Sequence, residues 1–144
     1  MANERSKSGP GRIESASSAV ARRRDQRQQD FEIEFFDHIL IRSPKLVDVL
    51  RVQGELLTHS GFHERALVVD RRLARLRPDD HLVHYNLACS LALLGQSKDA
   101  VNRLRQAIEL GYGDFDYLEQ DGDLDSLRDS ADYRQLLEDY GVGQ

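Results

Sequence analysis

The segments VDVLRVQGELLTHSGFHERALVVDRRLARLRPDD (residues 47–80) and HLVHYNLACSLALLGQSKDAVNRLRQAIELGYGD (residues 81–114) share one pattern of small and large residues. The matched pairs, thirty-four positions apart, are Gly54 and Ala88, Leu57 and Leu91, Gly61 and Gly95, Ala66 and Ala100, and Leu76 and Leu110. A repeat of this length predicts paired helices that stack side by side, because one pair cannot bury its own apolar face.

The matched positions have separate physical roles. Gly54 and Ala88 are small enough for the two helices of each hairpin to approach closely. Gly61 and Gly95 are expected to end the first helix of each hairpin in the left-handed conformation, which other residues adopt only at a cost. Pro78 is expected to close the first unit, since a helix cannot readily continue through proline.

Both units resemble the tetratricopeptide repeat over their full length. Three positions depart from that family's pattern: Asp70 and Leu73 replace an aromatic residue and an alanine, and Tyr112 replaces the closing proline. The resemblance implies an all-α fold, a short α-solenoid of helical hairpins. It also implies a non-catalytic scaffold or adaptor that binds other proteins.

An acidic stretch, DGDLDSLRDSAD (residues 121–132), raises the alternative of a divalent-ion-responsive domain. Its carboxylates have the spacing of a calcium loop. The framework differs, because Ser126 stands where the sharp turn needs glycine, Arg128 follows two positions later, and Asp132 replaces the bidentate glutamate. The calcium hypothesis is therefore the second choice.

Residues 115–141 resemble instead the end-of-group element that closes tetratricopeptide arrays. This resemblance rests on an acidic turn at Asp121-Gly122-Asp123-Leu124, followed by the pair Leu127-Arg128, then Tyr133 and Leu136-Leu137. The leucines and the tyrosine are expected to face inward, while the aspartates cap short helices and face water.

The N-terminal part divides into a tail and a helix. Residues 1–30 carry seven basic and four acidic groups and few large apolar residues, which predicts a disordered basic tail. Residues 31–42 are predicted to form a packing helix with Phe31 and Phe35 on its apolar face. Ser43 is expected to cap the next helix. The whole repeat domain is thus expected to span residues 31–141.

Composition excludes several classes of protein. The chain has 144 residues, 40% hydrophobic content, and no apolar run long enough to span a membrane. Its single cysteine, Cys89, cannot form an internal disulfide, so a cytoplasmic location is expected. Nucleic-acid binding by the arginines of the tail is disfavoured, because no aromatic side chain is interleaved with them.

No catalytic or metal motif is found, so neither an enzyme nor a cofactor is expected. His59 and His63 straddle the predicted turn, and His84 lies five residues from Cys89, so neither pair shares one helical face. The sequence predicts no metal site.

The first helix of each hairpin is expected to line a concave groove that binds a partner segment. The predicted groove residues are Arg51, Glu55, Leu82, Tyr85, Asn86 and Cys89, together with Asp48, Thr58 and Leu93. Asp116 and Glu119 stand where the family's chaperone-binding members need basic residues, so a basic or apolar partner is preferred to an acidic one. The sequence leaves open whether Tyr85, Cys89 and Leu93 are instead covered by the Phe-rich helix or by the capping segment, and whether two copies associate.

Overall fold

The computed structural model describes residues 16–143, in which every regular element is a helix. The elements are α1 (Ala16–Arg42), α2 (Val47–His59), α3 (His63–Leu76), α4 (His81–Leu93), α5 (Ser97–Glu109), α6 (Phe115–Gln120), a 3-10 helix (Gly122–Leu127) and α7 (Ala131–Asp139). The predicted all-α fold is confirmed. Within the described part, no helix is both long and apolar enough to cross a membrane.

The helices form a layered array. Helices α2 and α3 make the first hairpin and α4 and α5 the second, with α3 packed on α4. Helix α1 covers α2 at one end, and the 3-10 helix and α7 cover the second hairpin at the other. The first helices of the two hairpins begin at Val47 and His81, which are thirty-four residues apart, as the repeat predicts.

Glycine turns join the helices within each hairpin. Gly61 and Gly95 have φ angles of 84° and 76°, so the predicted left-handed conformation is confirmed at both. The backbone N–H of Phe62 then donates to the carbonyl of Leu57 at 2.8 Å, which satisfies an end-of-helix acceptor. A side chain at either glycine would meet nothing within 4 Å, so glycine is required there by backbone conformation alone.

Two helix starts show how differently the chain begins its helices. Asp80 caps α4, since its carboxylate accepts from two backbone N–H groups of the first turn, at 3.0 and 3.4 Å. Helix α2 does not begin as predicted. Ser43 lies in a turn, and the helix begins at Val47 with Leu46 at the capping position and no side-chain cap.

The predicted disorder of residues 1–30 is wrong for the part that the structure describes. Helix α1 begins at Ala16, and residues 1–15 lie outside the described residues. Residues 16–30 are rich in alanine, arginine and glutamine, and these residues favour a helix even where no hydrophobic core covers it. Side chains one turn apart also bond to each other, as Gln26 does to Asp30 at 3.0 Å.

The buried face of α1 also differs from the prediction. Ile33 and Leu40 are buried, whereas Phe31 and Phe35 are 64% and 52% exposed. The reason is that the described part of α1 packs mainly on α2, and one neighbour covers only a narrow stripe of a helix. Asp37 fixes which stripe of α1 faces the array, because its carboxylate accepts hydrogen bonds from residues of α2 and α3.

The capping segment (residues 115–141) buries the inward strip that its sequence predicts. Leu124, Leu127 and Leu136 are completely buried, Tyr133 is nearly so, and Leu137 is partly buried. These side chains close the end of the array against α4 and α5. The capping segment therefore fixes the chain that follows α5 beside α4, where the candidate site lies.

Candidate functional site

A groove of about 840 Å³ opens between α2, α4 and the chain that follows α5. Seven of the residues predicted from the sequence line this groove: Arg51, Glu55, Thr58, Leu82, Tyr85, Asn86 and Cys89. Asp48 and Leu93 were expected there as well but are not part of the lining. The structure thus brings most of the predicted residues to one surface, and their binding of a partner stays a prediction.

The α2 wall of the groove is polar and is fixed by an ion pair. Arg51 donates to the carboxylate of Asp80 at 2.5 Å, and each side chain is about one-third exposed. Because Asp80 also caps α4, this pair ties the α2 wall to the start of the α4 wall. Glu55 lies one turn further along α2.

Helix α4 supplies both the floor and part of the rim. Tyr85 and Cys89 are 4% and 6% exposed, whereas Leu82 and Asn86 are exposed. The sequence left open whether Tyr85 is a partner contact or is covered by a neighbouring segment, and the chain after α5 packs against it. It therefore shapes the floor of the groove, and Leu82 and Asn86 are the α4 side chains that a partner can reach.

The floor is organised by the carboxylate of Asp121. Tyr85 donates its hydroxyl to Asp121 Oδ2 at 2.5 Å, and the Cys89 thiol lies 3.7 Å from the same oxygen. The other oxygen accepts from the backbone N–H of Asp123 at 3.0 Å, which caps the 3-10 helix. Asp121 therefore performs the predicted capping but does not face water, since it is only 8% exposed.

Three tyrosines surround this carboxylate. Tyr85 and Tyr112 stack with ring centroids 4.3 Å apart and planes inclined by 10°. Tyr117 lies 6.3 Å from Tyr85, between centroids, and is 54% exposed. The hydroxyl of Tyr112 is buried beside that of Tyr85.

The electrostatic environment of the floor favours protonated side chains. Burial, reinforced by the bond to Asp121, raises the pKa of Tyr85. Burial and then the charges of Asp121 and Asp123 raise the pKa of the Cys89 thiol well above its usual value of 9. Burial and Asp121 likewise raise the pKa of Asp123. The thiol is consequently neutral near pH 7 and lacks the thiolate that nucleophilic chemistry needs.

Within residues 16–143, one group of side chains has metal-ligand chemistry. Cys89, Asp121 and Asp123 can each offer one atom, and these atoms lie within 4.8 Å of one another. Two features work against a resident metal: the thiol would have to lose its proton, and Asp121 Oδ2 already accepts from Tyr85 and Cys89.

The acidic stretch at residues 121–132 does not form a calcium loop. Residues Gly122–Leu127 form a 3-10 helix, and Leu124 and Leu127 are buried. The side chain of Asp125 is 74% exposed and pairs with Arg128 at 3.3 Å. Of this stretch, only Asp121 and Asp123 contribute to a group of three or more close ligand atoms, whereas a calcium loop brings six or more oxygens to one centre.

His84 has a structural position. It is 2% exposed, one ring nitrogen lies 2.7 Å from the carbonyl oxygen of Pro78, and the other lies 3.4 Å from Arg103. These contacts join the start of α4 to the preceding turn and to α5. Both ring nitrogens are thus engaged within the fold.

The structure adds groove residues that the sequence reasoning missed. Five side chains come from the chain after α5, namely Tyr112, Asp114, Tyr117, Asp121 and Asp123, and others come from α2, α3 and α4, namely His59, Asp70, Leu73, His81 and Val83. Tyr112 offered a signal, because it replaces the closing proline of the second repeat. Asp121 offered none, since nothing in an acidic turn distinguishes the one carboxylate that becomes buried.

Comparison with known proteins gives two partial sequence matches. No protein-family model matches the chain. A chloroplastic protein of Arabidopsis thaliana is 30% identical over 91 residues, which cover 61% of this chain and 27% of that protein. "Uncharacterized protein y4yS" of Sinorhizobium fredii is 25% identical over 92 residues, 64% of this chain and 50% of that protein. The matches therefore span from about a quarter to half of these relatives.

A solved structure establishes the fold. The crystal structure of MamA matches this chain with a TM-score of 0.59 at 17% sequence identity, covering 84% of each chain. MamA is a tetratricopeptide-repeat-like protein. Together with the two helical hairpins described above, this likeness shows that the present chain has a tetratricopeptide-repeat-like helical fold.

Proposed function

We propose that this tetratricopeptide-repeat-like array is a non-catalytic protein-interaction module, a scaffold or adaptor that binds a segment of another protein in its groove. The observation that carries the proposal is an open groove of about 840 Å³, whose floor is held by internal hydrogen bonds. That volume lies within the ~300–1,000 Å³ of typical ligand sites. A preformed floor lowers the ordering cost that a partner would otherwise meet on binding.

The exposed rim supplies contacts of two kinds. Leu82 and Tyr117 are 49% and 54% exposed and offer apolar surface. Asn86 lies one helical turn from Leu82 and offers an amide, which can both donate to and accept from a peptide backbone. An extended or helical segment with apolar side chains and free backbone groups fits this combination.

We propose further that the partner is basic or apolar and that the module works in the cytoplasm. The balance of charge supports the first point, since residues 112–144 carry ten acidic and two basic groups. A buried, unpaired cysteine supports the second, because it is compatible with a reducing compartment. The basic N-terminal region is available as a tether.

Affinity capture from the source cells tests the interaction. The bait is the full chain, compared with the double variant Leu82→Ala, Asn86→Ala, and captured proteins are identified by mass spectrometry. We expect one specific protein to be lost with this variant, because both side chains are exposed on the rim. The identified protein is then titrated against the purified chain, with at least about a ten-fold loss of affinity expected for the variant.

The matched control changes the same amount of surface elsewhere. The double variant Val68→Ala, Arg71→Ala alters two exposed residues of α3 that do not line the groove. It should retain the captured protein. Equal retention by both double variants would place the binding surface outside the groove and refute the proposal.

The alternative function is a divalent-ion response by residues 121–132. The approach of Cys89, Asp121 and Asp123 is the observation in its favour. The 3-10 helix at Gly122–Leu127 and the pairing of the exposed Asp125 with Arg128 count against it. Thermal melting with and without millimolar calcium separates the two: a large rise of the melting temperature would support the ion response, and none is expected here.

A further inference from the structure

Acidic residues dominate the lining of the groove. Those that line it are Glu55, Asp70, Asp114, Asp121 and Asp123, against Arg51 as the lone arginine or lysine in the lining. Arg51 does not offset them, because Asp80 neutralises it at 2.5 Å. The potential inside the groove is therefore negative, and a bound cation would be attracted.

The pKa values of the residues around Asp121 reflect this negative potential. Asp121 is the largest influence that raises the pKa of the largely exposed Tyr117. It also contributes, after burial, to the raised pKa values of Tyr85 and Cys89. Negative charge is thus felt across the floor and at the rim, without an unpaired arginine or lysine to balance it among the residues that line the groove.

Aromatic rings stand beside the carboxylates. Tyr85 and Tyr112 form a stacked pair, and His81 lies 6.3 Å from Tyr112 between ring centroids. Tyr117 lines the groove and keeps about half of its surface exposed. Rings attract a cation to their faces, and carboxylates nearby add charge-assisted hydrogen bonds. This pairing is the usual environment of a recognised basic side chain.

The ring of Tyr112 marks the Asp121 end of the groove. Tyr112 is 6% exposed, lines the groove, and stacks on Tyr85, whose hydroxyl donates to Asp121. The Tyr112 hydroxyl is enclosed beside that of Tyr85 and is closed to a ligand. The contacts open to a ligand at this end are therefore the exposed part of Tyr117 and the carboxylates that line the groove.

We propose that the groove recognises a basic side chain of the partner segment, an arginine in preference to a lysine, placed among Tyr112, Tyr117, Asp114 and Asp123. This inference rests on the proposed function and names the chemistry of its partner. A guanidinium matches the site because its planar fork can stack on a ring while it donates to a carboxylate. The Asp121 carboxylate, already bonded to Tyr85, contributes charge from the floor.

The probe is a single residue, so that the test does not depend on knowing the partner. The full chain, labelled with ¹⁵N, is titrated with N-acetyl-arginine methylamide and, separately, with its uncharged isostere N-acetyl-citrulline methylamide. We expect saturable amide shifts at Tyr112, Asp114 and Asp123 with the arginine probe, at millimolar affinity. The citrulline probe should bind at least about five-fold more weakly, because it keeps the shape but loses the charge.

Asp123→Asn removes one groove charge without removing a structural bond. The cap of the 3-10 helix uses the backbone N–H of Asp123, not its side chain, and burial already disfavours the charged carboxylate. We expect this variant to weaken the arginine probe by about five-fold. Asp129→Asn is the matched control, since Asp129 belongs to the same acidic stretch but lies outside the groove lining. It should change the affinity by less than about two-fold.

Each outcome bears on the inference. Equal affinity for the two probes would overturn it while leaving the proposed groove function in place. Shifts spread over the acidic surface, or equal effects of Asp123→Asn and Asp129→Asn, would reduce binding to non-specific attraction and overturn it as well. Conversely, the chain could bind the arginine probe specifically while both double variants retain the same captured protein. That result would support the arginine site and refute the proposed binding of a partner in the groove.

Discussion

Asp70 shows what a single misplaced charge does within the repeat. It occupies a position where the repeat pattern favours an aromatic residue, and the structure buries it to 5% exposure between α3 and α4. Ser90 of α4 donates to its Oδ2 at 2.5 Å. Its Oδ1 would lie 3.1 Å from a Cβ at Gly54, so glycine there makes room for the carboxylate. This acidic residue is thus accommodated by a hydroxyl and a glycine.

Burial makes this carboxylate a source of pH-dependent stability. Desolvation raises the pKa of Asp70 from 3.8 to about 6, and the bond from Ser90 offsets only part of that rise. Because the folded state holds the proton more tightly, the contribution of Asp70 is fully present below about pH 3.8 and is lost as pH rises through about 6. The loss amounts to about 3 kcal/mol of the free energy of unfolding.

We expect Asp70→Asn to abolish this loss. An amide of the same shape stays neutral and still accepts from Ser90, so the variant should be more stable than the natural chain near pH 7.5 by up to about 3 kcal/mol. Urea unfolding at about pH 4.5 and about pH 7.5 measures the difference. Asp79→Asn, at an exposed position, is the control and should follow the natural chain. An unchanged pH dependence in Asp70→Asn would contradict the assignment.

At the scale of elements, the capping segment is held together by one guanidinium. Arg128 donates to the carbonyl of Asp121 at 2.8 Å, to the hydroxyl of Tyr133 at 2.9 Å and to the carbonyl of Leu118 at 3.3 Å. These acceptors belong to the end of α6, the start of the 3-10 helix and α7. The same residue therefore joins three short helices, none of which is long enough to be stable alone.

Lysine should not replace arginine at this position. An ammonium is a compact charge on a flexible stem, so it cannot reach the three acceptors together. We expect Arg128→Lys to lower the free energy of unfolding by about 2 kcal/mol, as judged from urea or guanidinium titrations.

Arg134→Lys is the matched control for that substitution. Arg134 is exposed, and its guanidinium donates to the carbonyl of Asp129 at 3.2 Å. Its replacement should change stability by less than about 0.5 kcal/mol. Equal effects of the two lysine variants would mean that the fork of Arg128 does not hold the capping segment.

At the scale of the whole molecule, stability is concentrated in the stacked hairpins and their two covers. Helix α1 illustrates this, because its two buried residues, Ile33 and Leu40, lie in its second half. Residues 16–28 are exposed apart from the half-buried Ala19. Side-chain contact of α1 with α2 and its turn is established from Gln29, which accepts from Ser60 at 3.2 Å.

Truncation separates the two halves of α1. Removal of residues 1–28 should leave the melting temperature within about 2 °C of the full chain, while the helical circular-dichroism signal falls. Removal of residues 1–42 also deletes Ile33 and Leu40 and should cost about 3–6 kcal/mol, at about 1.5–3 kcal/mol for each buried side chain. If the shorter truncation destabilised the array as much as the longer one, the first half of α1 would also contribute to stability, contrary to this prediction.

The sequence by itself determined the architecture of the array. The thirty-four-residue period specifies that two similar hairpins follow each other along the chain. The turn glycines and the leucine strip of the capping segment are local signals that act within a few residues, through backbone conformation and helical periodicity. The structure follows these local signals at Gly61 and Gly95 and at Leu124 and Leu136.

Only the tertiary structure decided the character of the groove and the orientation of its covers. Tyr85 meets Asp121 across thirty-six residues, and Ser90 meets Asp70 across twenty, through helix packing that no local pattern encodes. The face of α1 that is buried likewise depended on having one neighbour instead of several. The physical reason is that burial and pairing of polar groups follow from the distances between packed elements, whereas sequence periodicity specifies only which elements form.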